Sequence, residues 1–356
     1  MSRKHKNFTQ EQKDLIVELH LDGLSSRAIC RKMGINEKKK SSINYFLADW
    51  RLGEKSEDSV NVTPKSETAK SHIPTKVSIF NKKKDVYTIE TVKEVGENVT
   101  QFMIPDTQCK PNIKLDYLDS VGLYIVDKQP EVIVHIGDHA DMPSLSSYDK
   151  GKGAAEGKRV LDDIDASIEG MNRLLKPLYD LQQSQLKEFG KVLYKPKMVI
   201  TLGNHEERIM RHVNENPELI GFLGYNNLRY EDMGWEVYDF LKPAVINGVA
   251  YCHYMPNPMS GRPYGGAALN VLKNVGESFC MGHKQCLDVA TRFLPASGKQ
   301  QWAIIAGACY DHDEGYKGYQ GNHHFRGVVV KHNVIKGSFN PSFISLDYLK
   351  TRYLKR

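Results

Sequence analysis

Apolar positions change their spacing twice along the chain. From Gln10 to Leu21 (QEQKDLIVELHL), Leu15, Ile16, Leu19 and His20 recur at helical spacing, and Asp22-Gly23 closes the run. Ser25 and Ser26 can offer a side-chain oxygen to the free N–H groups of a second helix, SRAICRKMG, which stops at Gly34. A third helical pattern, Lys38 to Arg51, sets Ile43, Phe46, Leu47 and Trp50 on one face. The chain then turns polar and poor in large apolar residues, and 53–82 reads as a flexible linker. Beyond it DVYTIETVKEV alternates as a strand does. Five apolar runs follow, each ending in a polar cluster: TQFMIPDTQ, VIVHIGDHAD, KMVITLGNHE, GVAYCHY and SFCMGHKQ. A long helical pattern, roughly residues 156–186, separates the second from the third. The pattern predicts a small all-α module over 1–52 and a layered α/β domain over 83–356, with chemistry gathered at the strand ends.

Composition narrows this picture. The 356 residues, 40% hydrophobic and 26% charged, suit a soluble globular chain with one large core and room for a small module. No apolar run approaches the roughly 18–20 residues of a membrane span. The basic start MSRKHKNF leads into TQEQKD rather than an apolar signal region, so no membrane partner is expected. The six cysteines form no CxxC pair, which points to a reduced, cytoplasmic protein.

Charge is uneven. Residues 1–51 hold 11 Lys/Arg against 6 Asp/Glu, a net of +5 out of the total +6, so the body is close to neutral. A basic head suits a polyanion such as nucleic acid, or simply confers solubility. LSSRAICRKMGI resembles the helix-turn-helix segment of DNA-binding modules. That resemblance implies a recognition helix in which Lys38, Lys39 and Lys40 meet phosphates while Ser42 and Asn44 reach base edges. A three-helix protein-contact module is the competing reading, with the lysines as a solvated helix start. Neither sets the oligomeric state, and a homodimer is compatible with both.

The strand ends present Asp106 and Gln108; Asp138 and Asp141; Asn204, His205 and Glu206; His253; and His283 and Gln285. Carboxylate, amide and imidazole together suit hard or borderline divalent ions, and the lack of clustered cysteines argues against structural zinc. Singly, a histidine after a strand is an ordinary core residue. Each cluster follows an apolar run, which is where a sheet can bring side chains to one point.

Their order and form resemble the calcineurin-like metallophosphoesterase superfamily, whose motifs are DxH, GDxxD, GNH followed by Glu or Asp, a lone His after a strand, and GHxH. Here they stand as Asp106-Thr-Gln108, Gly137-Asp138-His-Ala-Asp141, Gly203-Asn204-His205-Glu206, His253 and Gly282-His283-Lys-Gln285, within roughly residues 98–350. The wording IPDTQ, GDHADMPSLSSYDKGK, GACYDHDEGYKG and GNHHFRG is similar to phage-encoded members, which would place the protein in the cytoplasm of a bacterial host.

The resemblance implies a β-sandwich flanked by helices and a two-ion site. Asp138 would bridge the ions, with Asn204, His253 and His283 completing one. Asp106 would hold the other together with Gln108 and Gln285, where the family has histidines. His205 would be general acid or transition-state donor, oriented by Asp141, while metal-activated water attacks phosphorus. Both glutamines fall on the same ion. A retuned, weaker site preferring Mn or Mg is therefore expected beside a tight one, or a one-metal resting form.

Glu206 suits a helix start or a supporting role, and His139 could supply a spare imidazole. Lys284 and the late residues His323, His324 and Arg326 are candidate substrate contacts, against ordinary turn chemistry. The expected activity is metal-dependent phosphodiester hydrolysis on nucleic acid, a DNA nuclease. The alternatives are a phosphomonoesterase or small-nucleotide hydrolase, and a catalytically inactive DNA-binding scaffold.

Overall fold

The computed structural model describes residues 8–21, 25–36, 42–43, 46–47 and 85–354. The chain divides into two compact units, Met1–Thr75 and Lys76–Arg356. Among the described residues no helix is long and apolar enough to cross a membrane.

In the first unit α1 spans Gln10–Leu21 and α2 spans Ser26–Lys32, close to the predicted bounds. Ser25 Oγ accepts from the Ala28 amide at 3.4 Å and so caps α2. Ile16, Leu19, Ile29, Cys30, Ile43 and Leu47 form one buried cluster with Phe8. Leu15, which shares the helical spacing, is exposed instead. Ser42 is half-buried. Lys38, Lys39, Lys40 and Asn44, together with the 53–82 stretch read as a linker, lie outside the described residues.

The second unit is mixed α/β, with two sheets flanked by helices. Its strands are β1 (Val99–Ile104), β2 (Val132–His135), β3 (Lys197–Thr201), β4 (Glu236–Tyr238), β5 (Ala244–Ile246), β6 (Val249–Tyr251), β7 (Phe279–Met281), β8 (Leu287–Leu294), β9 (Lys299–Ala306), β10 (Gly327–Ile335) and β11 (Ser338–Ser345). The main helices are α3 (Tyr117–Lys128), α4 (Val160–Phe189), α5 (Glu207–Glu215), α6 (Ala268–Val275) and α7 (Leu346–Tyr353). One sheet runs β11-β10-β1-β2-β3-β4 and the other β5-β6-β7-β9-β8. The centre of the first sheet, β1-β2-β3, is parallel, and so is β6-β7-β9 in the second.

Period-two alternation sorts the central strands' side chains between two cores. Met103, Val132, Val134 and Val199 face the second sheet, packing with Tyr251, Cys280 and Ile304. Phe102, Ile104, Ile133, Met198 and Ile200 face the other way, onto Leu118, Val121 and Ile125 of α3 and Met171, Leu174 and Leu178 of α4. Behind the second sheet, α6 buries Ala268, Val271 and Leu272 against Phe279, Met281 and Ile305. All five predicted apolar runs are strands.

The alternating stretch DVYTIETVKEV is not one. The Tyr87 and Glu90 amides donate to Asn172 Oδ1 (3.2 Å) and Gln182 Oε1 (2.8 Å) of α4, and Gln182 Nε2 donates back to the Glu90 carbonyl (2.8 Å). Side-chain amides replace a partner strand here. Alternation reports an extended backbone, whereas a ladder also needs a free sheet edge.

Candidate metal centre

Because β1, β2 and β3 are parallel neighbours, the loops after them emerge on one side, and the loops after parallel β6 and β7 meet them from the second sheet. These loops deliver Asp106, Asp138, Asn204, His205, His253, His283 and Gln285. Fitting them together demands unusual backbone. Gln108 (φ 43), Asp138 (φ 51), His283 (φ 64) and Gln285 (φ 51) all occupy the left-handed region. Such strain is retained where the surroundings over-determine it. Gly203 and Gly282 seat the carboxylates, since a Cβ on either would collide with the side-chain oxygen of Asp138 or Asp106.

Glu206 fastens the loops together. Its fully buried carboxylate accepts from the amides of Asp138 (2.9 Å), Ala140 (2.9 Å) and Gly203 (2.8 Å). It precedes α5 as expected, yet its side chain holds neighbouring loops rather than capping that helix.

Four ligand-type atoms form a chain of close neighbours. Asn204 Oδ1 lies 2.9 Å from His253 Nε2 and 2.7 Å from His283 Nδ1. Asp138 Oδ2 is 3.2 Å from His253 Nε2. Each of these three contacts has the roughly 3 Å separation of neighbouring ligands on an ion with bonds of about 2.1 Å. His253 Nδ1 donates to the Ile136 carbonyl at 2.9 Å, which aims Nε2 inward. Asp106, Asp138 and His253, all buried, each bring a ligand atom within 4.8 Å of the others. The donor set fits a hard or borderline divalent ion.

The charges are strongly coupled. Burial alone would raise Asp138, but the imidazoles of His205 and His253 hold it well below the ordinary carboxylate range. Burial opposes a proton on His253, and Asp138 overrides it, raising His253 to about 9. Burial, reinforced by His253, lowers His283 to about 4. Asp106 is pushed up to about 6, by burial first and then by Asp138, with His253 opposing.

His205 stands beside this group. Its Nδ1 is 2.6 Å from Asp141 Oδ1, and its Nε2 is 3.7 Å from Asp138 Oδ2. Burial and the Arg208 guanidinium oppose a proton on the ring, but Asp138 and Asp141 outweigh them and raise its pKa. Asp141, despite burial, is lowered to about 2 by the His205 hydrogen bond and charge, then by Lys110 and Arg208. Arg208 Nη1 donates to the Asp141 carbonyl at 2.7 Å, and Lys110 Nζ is 3.3 Å from Asp141 Oδ2.

The side carrying the glutamines is built differently. Gln108 is buried, and both polar atoms of its amide lack a partner among the described residues. Gln285 Oε1 accepts from Tyr310 Oη (3.0 Å) and Lys317 Nζ (2.9 Å), while its Nε2 faces Asp106 Oδ2 at 3.4 Å.

No family model matches the chain. Two phage proteins are similar to it. They are the Gene 54 protein of Mycobacterium phage L5, 24% identical, and that of Mycobacterium phage D29, 25% identical. Each similarity spans 212 residues, 58% of this chain and 77% of the relative. Neither name states an activity.

The site opens into a cleft of about 1260 Å³ lined by Asp138, Asp141, Asn204, His205, His283 and Gln285. That exceeds the roughly 300–1000 Å³ usual for a small ligand. The lining carries seven Lys/Arg and seven Asp/Glu, so its charge by itself selects no polyanion.

Lys284 reaches this cleft, with Nζ donating to the Gly266 carbonyl at 2.7 Å; His323, His324 and Arg326 do not line it. Arg326 instead ties its loop to Asp311 and Asp313. His139 is no spare ligand. Thr107 Oγ1 (2.7 Å) and the Ser167 carbonyl (3.0 Å) occupy its two ring nitrogens. Sequence reasoning missed Arg208, Lys110, Tyr310 and Lys317. Arg208 lies one helical turn after His205 and was findable; the others reach the site from distant segments without a local signal.

Proposed function

We propose that this chain is a metal-dependent phosphodiesterase of the calcineurin-like metallophosphoesterase type, acting on nucleic acid and directed to DNA by an N-terminal helix-turn-helix module. The observation that carries the reading is the run of close contacts through Asp138, His253, Asn204 and His283, beside an Asp141-held His205 at the floor of one broad cleft. The two-sheet architecture and the basic first 51 residues support it.

Asp138, Asn204, His253 and His283 would hold one divalent ion, with Mn or Mg favoured by the carboxylate and amide oxygens in the donor set. When bound, such an ion neutralises charge on phosphoryl oxygens and acidifies water. Asp141 fixes His205 Nδ1, and Arg208 Nη2 lies 3.1 Å from Nε2, so Nε2 can donate a proton toward the leaving oxygen only once substrate has displaced the guanidinium. Arg208 holds the Asp141 backbone and adds positive charge beside the scissile group. The cleft accommodates more than a small monoester, which favours a polymeric diester.

The deciding assay is incubation of the full chain with plasmid and linear DNA in Mn²⁺ or Mg²⁺. Metal-dependent cleavage is expected. Intact DNA alongside rapid phosphomonoester hydrolysis would replace this reading with a phosphomonoesterase, and no phosphoester hydrolysis under any metal would leave a binding scaffold. Removing residues 1–52 should weaken DNA affinity and flatten its salt dependence while sparing a small chromogenic diester. Equal loss of both activities would place the head within the catalytic fold.

His205→Ala is expected to lower diester hydrolysis by about 10²–10⁴-fold. Asp141→Asn should act through the ring's pKa. Asp141 raises it, and the protonated ring donates, so activity is lost as pH rises through that pKa. The variant's alkaline limb should therefore move to lower pH, and an unmoved limb would remove Asp141 from this role.

Metal uptake should also release a proton, because His253, raised to about 9, is protonated at neutral pH and must lose a proton to ligate. Mn²⁺ affinity is expected to rise about tenfold per pH unit across neutrality. Calorimetry in buffers of different ionisation enthalpy checks this, and pH-independent affinity without proton release would contradict it.

A further inference from the structure

On the glutamine side of the centre, Asp106 joins the buried trio with Asp138 and His253, but Gln285 is turned to other partners. Lys317 Nζ can only donate hydrogen bonds and an ionised Asp106 can only accept them. Their placement therefore sets the orientation of the Gln285 amide lying between them. Oε1 faces Lys317 at 2.9 Å and Tyr310 Oη at 3.0 Å, and Nε2 faces Asp106 Oδ2 at 3.4 Å. Two donors occupy the amide oxygen, and an amide nitrogen bearing two hydrogens has no lone pair for an ion. Gln285 is built as a hydrogen-bond link between a carboxylate and an ammonium. The orphaned Gln108 amide, with a donor and an acceptor, suits a cation or a phosphoryl oxygen equally and does not discriminate.

Lys317 is half-buried and lines the same cleft as Asn204, His205 and His283. Its ammonium has three donors; Gln285 Oε1 takes one, and His324 Nδ1 lies 3.3 Å away. A fixed cation thus stands on the side of the cleft where the family resemblance would put the second ion.

We infer that the centre takes one divalent ion rather than two, and that the Lys317 ammonium serves as the second positive charge, binding a phosphoryl oxygen of the substrate. The inference rests on the metal-dependent phosphoesterase reading and concerns how that chemistry is divided. It changes what the two glutamines mean: they belong to a site in which an amino group has taken over the role of an ion. A cation carried by the chain cannot be lost by dilution or chelation, so hydrolysis should follow the occupancy of a single metal site. Removing one preorganised donor from a transition-state oxygen typically costs about 10²–10³-fold in rate.

The test titrates the metal-stripped full chain with Mn²⁺, counting ions by calorimetry and reading their spin coupling by electron paramagnetic resonance. Wild type should bind one ion with an uncoupled spectrum. Lys317→Met should keep that ion and its melting temperature while losing about 10²-fold or more in diester hydrolysis. Lys317→Arg should recover part of the loss. The triple variant Gln108→His, Gln285→His, Lys317→Met should gain a second, exchange-coupled ion. Two coupled ions in wild type would overturn the inference and leave the metal reading standing. Binding of no ion would overturn the metal reading and the inference with it. Wild-type hydrolysis by Lys317→Met would also overturn the inference. Should Lys317→Met fail to fold, the wild-type ion count decides the matter alone.

Discussion

Replacing Asp138 by asparagine is expected to lower metal-dependent phosphodiester hydrolysis at least about 10³-fold, corresponding to several kcal/mol of lost charge stabilisation. Asp138 Oδ2 faces His253 Nε2 at 3.2 Å, and its Oδ1 accepts from the His205 amide at 2.9 Å. The carboxylate therefore joins the ligand group to the proposed acid. Asparagine keeps the shape but not the charge, and two further effects follow. An ion loses its one anionic ligand among the four converging groups, and His205 and His253 lose a partner that raises their pKa values. Mn²⁺ titration should show weakened binding while thermal melting shows a folded chain. Near-wild-type hydrolysis with intact metal binding would remove Asp138 from the centre.

The second large effect is on stability. Glu206→Ala leaves the amides of Asp138, Ala140 and Gly203 without their acceptor, each worth about 1–3 kcal/mol when buried and unsatisfied. Burial, with the Asp138 charge adding to it, raises the Glu206 pKa, so deleting the carboxylate relieves some cost. The three orphaned donors outweigh that relief. A net loss of roughly 3–5 kcal/mol is expected, lowering the melting temperature by about 6–20 °C. Glu206→Gln should fall between, because its amide can accept from two of the amides while presenting N–H to the third. A melting temperature within about 2 °C of wild type for Glu206→Ala would show that other contacts hold these loops.

How much was legible depends on the kind of interaction. Strands β1, β2, β3, β6 and β7 were readable because each is a short apolar run closed by a polar cluster, a pattern set locally by burial on two faces. The α4 region was readable from its period, although it begins four residues later and ends three residues beyond the expected 156–186 span. DVYTIETVKEV misled because an extended backbone can be satisfied by Asn172 and Gln182 as well as by a strand. In the head, Ile16 and Leu19 are buried as their spacing suggests, but the same spacing did not distinguish exposed Leu15.

At the centre, the chain alone determined which chemistry could gather: carboxylate, amide and imidazole groups stand at successive strand ends, three of the five clusters directly after a glycine, and a strand end can point them to one place. It could not determine which way those groups turn. The tertiary structure decided that Glu206 holds three amides, that Thr107 and Ser167 occupy His139, and that Arg326 supports its own loop. It also decided that Gln285 offers its amide nitrogen to Asp106 and its oxygen to Lys317. The physical reason is directional. A residue's type sets what it can donate or accept, but only partners brought from distant segments choose which atom faces the site.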